Sequence, residues 1–255
     1  AAGSGRGRRG RGARGGSGHP SAVMLGSCSR WLQGWRDYAQ AIFYRSRALL
    51  WGTESVGSKD TWYKHELSVA QSEDFLDLEE LQFSSVANVN GKTVWIIYGS
   101  RLPMTVLDKE RVFRFMLLQL EDLVDFPFTI LYVHTDTSYA ENCPGLSWMQ
   151  HKMSKLPDRC FESIDELLLL HPDLHFWLCL HILRGSILGR LWARAHMTMR
   201  VEFVWDLLGL PAKSISLPRR VYQHDEHLEE NPLADFYISK MPLFVGGDDA
   251  HEHIA

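Results

Sequence analysis

Between Lys92 and Val204 the chain alternates short, wholly apolar segments with longer helix-like ones. Thr93-Val94-Trp95-Ile96-Ile97-Tyr98 reads as a strand, Val112 to Val124 as a helix, and Phe128 to His134 as a second strand. Glu166 to His171 reads as a third strand, Leu174 to Leu183 as a helix, and Met199 to Trp205 as a fourth strand. A strand that is apolar on both faces has to be covered on both. Such strands, separated by helices of about a dozen residues, predict a mostly parallel sheet between helices, an α/β fold in three layers. Ligands of such sheets sit beyond the carboxyl ends of the strands.

Flanking signals extend this frame. Phe83 to Val89, Asn90-Gly91 and Lys92 to Tyr98 predict a hairpin, because Asn and Gly both tolerate positive φ. Asp108 is placed to cap the following helix, Pro127 enters the second strand, and Ser147 starts a helix that Pro157 ends. Trp62 to Leu81 reads as one or two helices after a polar loop over 52–60, and Trp31, Trp35, Tyr38 and Ile42 recur at helical spacing. The segment after Pro211, rich in proline and acid, is expected to wrap the surface. The expected division is a Gly/Arg-rich tail over 1–22, a helical lead-in over 23–82, the sheet domain over 83–228 and an acidic tail over 229–255.

Charge narrows the function classes. The first twenty residues hold eight Gly, five Arg and no acid, a composition that buries nothing and stays disordered. Their Gly5-Arg6-Gly7-Arg8-Arg9-Gly10 has neither a strand before it nor a helix after it, so it is no dinucleotide site. The chain carries a net charge of −4, so the body without those arginines carries −4 − 5 = −9. An acidic body argues against nucleic acid as partner. The four cysteines form no CxxC pair, and no glycosylation sequon occurs, which predicts a reduced, cytoplasmic setting. No apolar run reaches the eighteen residues of a membrane span.

Catalytic motifs are missing. There is no Gly-x-Ser-x-Gly elbow and no Walker A sequence. Pro172 separates His171 from His175 and His181, and His224 and His227 fit no zinc spacing, so neither metal nor cofactor is expected. His134 and Asp136 fall at the carboxyl end of a strand, where His134 serves either as a general base or as a hydrogen-bonded strand terminator. From Leu174 to Val201 there is no Asp or Glu, while Arg184, Arg190, Arg194 and Arg200 interleave with bulky apolar residues. Arg190 and Arg194 share a face if this part is helical. Two readings fit: a buried helix with solvated arginines at its ends, or a lid over an apolar cavity whose arginines meet an anionic headgroup or a membrane surface.

Three motifs in order carry a family resemblance. They are Tyr132-Val133-His134-Thr135-Asp136-Thr137-Ser138, Leu146-Ser147-Trp148, and Leu167-Leu168-Leu169-Leu170-His171-Pro172. Pro218 to Asp225, reading Pro-Arg-Arg-Val-Tyr-Gln-His-Asp, adds a fourth. Together, over about 60 to 228, they resemble the divergent branch of the CRAL-TRIO domains. That branch includes the BCH domains and the C-terminal module of the ganglioside-induced-differentiation macro-domain proteins. The resemblance implies an α/β/α sandwich with an apolar pocket floored by the sheet and covered by a mobile gate helix, here about Leu174 to Leu191. It implies a non-catalytic module that holds a phospholipid or similar hydrophobic molecule. Alternatively, it implies a scaffold for a Rho-type small GTPase or its regulator, without lipid.

Strand alternation then nominates Ile96, Tyr98, Ile130, Tyr132, Leu168 and Leu170 for the pocket floor, and Trp177, Leu180 and Ile187 for the lid. Arg184, Arg190 and Arg194 are nominated for the headgroup or for an acidic partner. Ten buried methylenes contribute on the order of 8 kcal/mol, and an arginine–phosphate hydrogen bond about 1.5–3 kcal/mol. The cavity would thus set affinity, with the arginines choosing the headgroup at a transient membrane surface.

Overall fold

The computed structural model describes residues 56–184 and 189–231. The Gly/Arg-rich tail, the helix expected around Trp31 to Ile42, Ile187 and the segment from 232 onward lie outside the described residues.

Five strands form one sheet in the order β1-β2-β3-β4-β5. β1 (Ser84–Val89) and β2 (Lys92–Tyr98) make the expected antiparallel hairpin, and Asn90 and Gly91 both adopt positive φ at its turn, 51° and 78°. β3 (Phe128–Val133), β4 (Ile164–Leu170) and β5 (Ala195–Thr198) continue the sheet in parallel. The mostly parallel α/β/α sandwich is therefore the architecture.

The helices divide between the faces. α1 (Val56–Ala70) and α2 (Leu76–Glu80) precede the sheet. α3 (Lys109–Leu123) follows β2, and its N-terminus is capped as expected, Asp108 Oδ1 accepting the Glu110 N–H at 2.9 Å. α4 (Tyr139–Asn142), α5 (Leu146–Ser154) and α6 (Asp158–Glu162) lie between β3 and β4, and α7 (Leu174–Arg184) follows β4. α1, α3, α5, α6 and α7 enclose one core with Trp95 and Leu169 of the sheet. Tyr63 of α1 is fully buried in that core and donates to Glu121 Oε2 at 2.7 Å, so the lead-in helix is part of the domain.

The opposite face is covered by α8 (Val201–Leu208) and α9 (Arg219–Glu230). The segment Met199 to Trp205, expected as a strand, mostly belongs to α8, and the fourth parallel strand is β5, just before it. Val201, Val204, Trp205 and Leu208 are buried at positions i, i+3, i+4 and i+7, a helical stripe. Gly209 closes that helix in the left-handed conformation at φ 60°. Glu229 and Glu230 end α9, and Val221 and Leu228 anchor it.

Candidate functional site

Register decides which strand residues share a face. Trp95 stands beside Ile130, Ile130 beside Leu167, and Leu167 beside Ala195. The next row on that face is Ile97, Tyr132, Leu169 and Met197. The β2, β3 and β4 members of these two rows floor a cavity of about 380 Å³, within the range of small-molecule sites. α3 and α5 wall it, and α7 covers it with Phe176, Cys179, Leu180 and Leu183.

Of the residues nominated from sequence, Ile130, Tyr132 and Leu180 border this cavity. Ile96, Tyr98, Leu168 and Leu170 do not, because they point to the other face and pack with Val204, Trp205 and Leu208. Alternation is right within each strand, but parity between strands is a register property, and an offset of one moves a whole set across the sheet. The floor residues missed for this reason are Trp95, Ile97, Leu167 and Leu169. Tyr98 instead borders a wider, open hollow of about 520 Å³ at the sheet edge, beside Gln82, Ser84 and Arg101.

Trp177 faces outward from α7, 39% exposed, with its ring against His181. The three nominated arginines stand off the cavity as well. Arg184 lies over the Trp192 ring at 4.7 Å. Arg190 pairs with Asp158 and lies over Phe161 at 5.6 Å. Arg194 donates to the carbonyl oxygens of Ile164 and Phe161. Trp192–Arg194 is a short 3-10 turn, so Arg190 and Arg194 share no α-helical face. Their work is to fasten the segment after α7 onto α6 and β4.

The polar end of the cavity forms where the parallel strands stop, the expected place in such a sheet. Tyr132 and His134 end β3 and follow it, and Asp173 and His175 begin α7. Asp173 Oδ1 accepts the Phe176 N–H at 2.6 Å and so caps α7. The same oxygen is 3.5 Å from His134 Nε2. The His134 ring stacks on Phe176, centroids 4.3 Å apart, and Phe176 stacks on Tyr132 at 5.1 Å. Both ring nitrogens of His134 and both of His175 are buried without a hydrogen bond of good geometry.

Gly99 packs closely against this end, where only a residue without a side chain fits. A Cβ there would lie 2.4 Å from Tyr132 Oη and 2.6 Å from Thr137 Oγ1. Burial raises the Tyr132 pKa, so its phenol stays protonated. Burial lowers the pKa of His175 against the pull of Asp173, leaving the ring neutral at neutral pH. Burial opposes the charge of Asp173, but the neighbouring His134 ring and the Phe176 N–H outweigh it and hold the carboxyl below its usual value. His134 was visible in the sequence as a histidine at a strand end. Asp173 and Gly99 carried no signal beyond a capping residue and a turn.

The cavity presents an apolar hold with a small hydrogen-bonding end. Among the described residues no three His, Cys, Asp or Glu side chains gather into a metal site. No described helix is long and apolar enough to cross a membrane.

A family model described as a divergent CRAL/TRIO domain matches residues 91–227, more than half of the chain. The chain is 24% identical over 168 residues to the Rho GTPase-activating protein gacY of Dictyostelium discoideum, covering 64% of this chain and 22% of that protein. It is 27% identical over 128 residues to the GDAP2 homolog of Drosophila melanogaster, covering 49% of this chain and 23% of that protein. It is 21% identical over 166 residues to the ganglioside-induced differentiation-associated protein 2 of Xenopus tropicalis, covering 64% and 33%. The chain thus spans about a fifth to a third of the length of these relatives.

Proposed function

Because this chain belongs to the divergent CRAL/TRIO domain family, we propose that it is a non-catalytic binding module that holds one small hydrophobic molecule between its sheet and α7. The observation that carries this reading is the apolar cavity of about 380 Å³ under Leu180 and Leu183. A cavity of this size left dry and empty lacks packing partners along its whole wall, which costs stability. An apolar occupant restores those contacts. α7 is the covering element, and entry requires it to shift. The cytoplasmic setting expected from the cysteine pattern is part of this proposal, as is passing contact with a membrane during loading.

The test is direct. The protein is purified from cells without detergent, extracted with organic solvent, and the extract weighed by mass spectrometry. A hydrophobic compound near one per chain, reduced in a Leu180→Trp variant whose larger ring projects into the cavity, supports the reading. A bare extract, with no uptake of Nile red by the folded protein, sinks it.

One observation favours a second reading. A relative that carries a similar segment is named a Rho GTPase-activating protein. A scaffold role toward a Rho-type GTPase would leave the cavity without cargo. Retention of a purified Rho-family GTPase on the immobilised chain, unaffected by Leu180→Trp, is the result that favours it.

A further inference from the structure

We propose that the polar end of the cavity selects the ligand's head: His134, Asp173 and His175 take an amphiphile with an uncharged hydroxyl head and reject carboxylate and phosphate heads. This rests on the binding-module reading above and adds the ligand class.

The unused hydrogen-bonding capacity is the first ground. His134 is only 7% exposed, and the sandwich with Phe176 fixes its ring plane. Its Nδ1 and both nitrogens of His175 have no hydrogen-bond partner inside an otherwise apolar cavity, and its Nε2 has only the long 3.5 Å approach of Asp173 Oδ1. A buried polar atom without a partner is costly, so native interiors supply one. A neutral imidazole offers one donor and one acceptor. A hydroxyl likewise gives one hydrogen bond and can take another, so one such head can accept from a ring N–H and donate to the carboxylate beside it.

The second ground is charge. Asp173 supplies a carboxylate at this end, 3.5 Å from His134. Lys152 is the only lysine or arginine on the described cavity wall, and its ammonium is paired with Glu110 and lies over the Phe113 ring at 5.1 Å. Arg184, Arg190 and Arg194 are spent outside. An anionic head would therefore meet a like charge in a poorly screened site without a free cation to balance it. The arginine-bound phosphate suggested by the sequence has no counterpart here.

The experiment uses the full chain and a matched pair of probes, tetradecan-1-ol and tetradecanoate, competing with Nile red at neutral pH. The alcohol should displace the dye at a concentration about tenfold or more below that of the carboxylate. Asp173→Asn keeps an oxygen to cap α7 and removes the charge. In that variant the carboxylate should gain until the two probes differ by less than about threefold. Equal displacement by both probes in the wild type, or a preference unchanged in Asp173→Asn, overturns the head selection while leaving the cavity reading in place. Failure of either probe to displace dye, with Leu180→Trp taking up dye like the wild type, removes the cavity reading and this inference with it.

Discussion

His171 Nε2 lies 3.4 Å from Asp225 Oδ1, joining residues 54 positions apart. The first ends the apolar run of β4 at positive φ, 56°, and the second lies on α9. His171 also meets Thr135 Oγ1 at 2.8 Å. The same Asp225 oxygen accepts the Val201 N–H at 2.9 Å, at the start of α8, and lies 3.3 Å from Arg200 Nε. One carboxylate thus holds the end of a central strand, the start of one covering helix and the body of another. Two of the sequence motifs, the His-Pro after β4 and the closing His-Asp, meet in this contact.

Asp225→Ala should therefore destabilise the fold by about 1.5–3 kcal/mol, the range for losing hydrogen bonds to a charged group. Asp225→Asn, which still accepts the Val201 N–H, should cost less. Urea unfolding followed by tryptophan fluorescence checks the order, and equal midpoints for Asp225→Ala and the wild type would contradict it.

Gly99→Ala should cost about 1–3 kcal/mol, as overpacking does. Its added carbon would lie 2.4 Å from Tyr132 Oη. The damage should also reach the cavity, because Tyr132 floors it. Weaker uptake of Nile red by the folded variant is the second readout.

Arg190 and Arg194 should differ in cost. Arg190 pairs with Asp158 at the surface, both side chains more than half exposed. Arg190→Ala should cost no more than about 1 kcal/mol, and less in high salt. Arg194 serves two carbonyl groups of the chain around α6. Arg194→Ala should cost about 1–3 kcal/mol, since those acceptors lose their partner. Paired denaturation curves at low and high salt separate the two.

Stability should fall in mild acid partly through His175. Burial lowers its pKa below the ordinary 6.5. Asp173 on the same helix opposes that shift and His134 beside β3 adds to it. The unfolded chain therefore binds a proton that the folded His175 resists. Its effect is absent above the unfolded pKa, and stability declines as the pH drops from there toward the folded value. His175→Gln should flatten the change in urea midpoint between about pH 7.5 and pH 5.5. An identical slope in variant and wild type would exclude His175 as a contributor.

Cys160 and Cys179 line the cavity and are buried, which pushes their thiols up to about 11 and about 12. Thiolate is the reactive form, so iodoacetamide should leave both unmodified in the folded protein at neutral pH. Urea should expose them together. Intact-mass spectra over a labelling time course give the count.

The sequence by itself determined the layers, because each of its decisive signals is local. The apolar runs Ile130 to Val133 in β3 and Leu167 to Leu170 in β4 demand cover on both faces, Asn90-Gly91 permits one kind of turn, and Asp108 caps whatever helix follows it. Only the tertiary structure decided which side of each strand meets the cavity. Ile96 and Trp95 are equally apolar neighbours, and the register with β3 alone sends Trp95 to the cavity and Ile96 to α8. Tertiary structure likewise decided the charges. The arginine-rich segment has no acid of its own, and its partners, Asp158 and the carbonyls near Ile164, are about thirty residues away in the chain. Long-range pairing of this kind leaves no mark on local spacing, which is why the hydrogen-bonding end of the cavity emerged only when β3 and α7 came together.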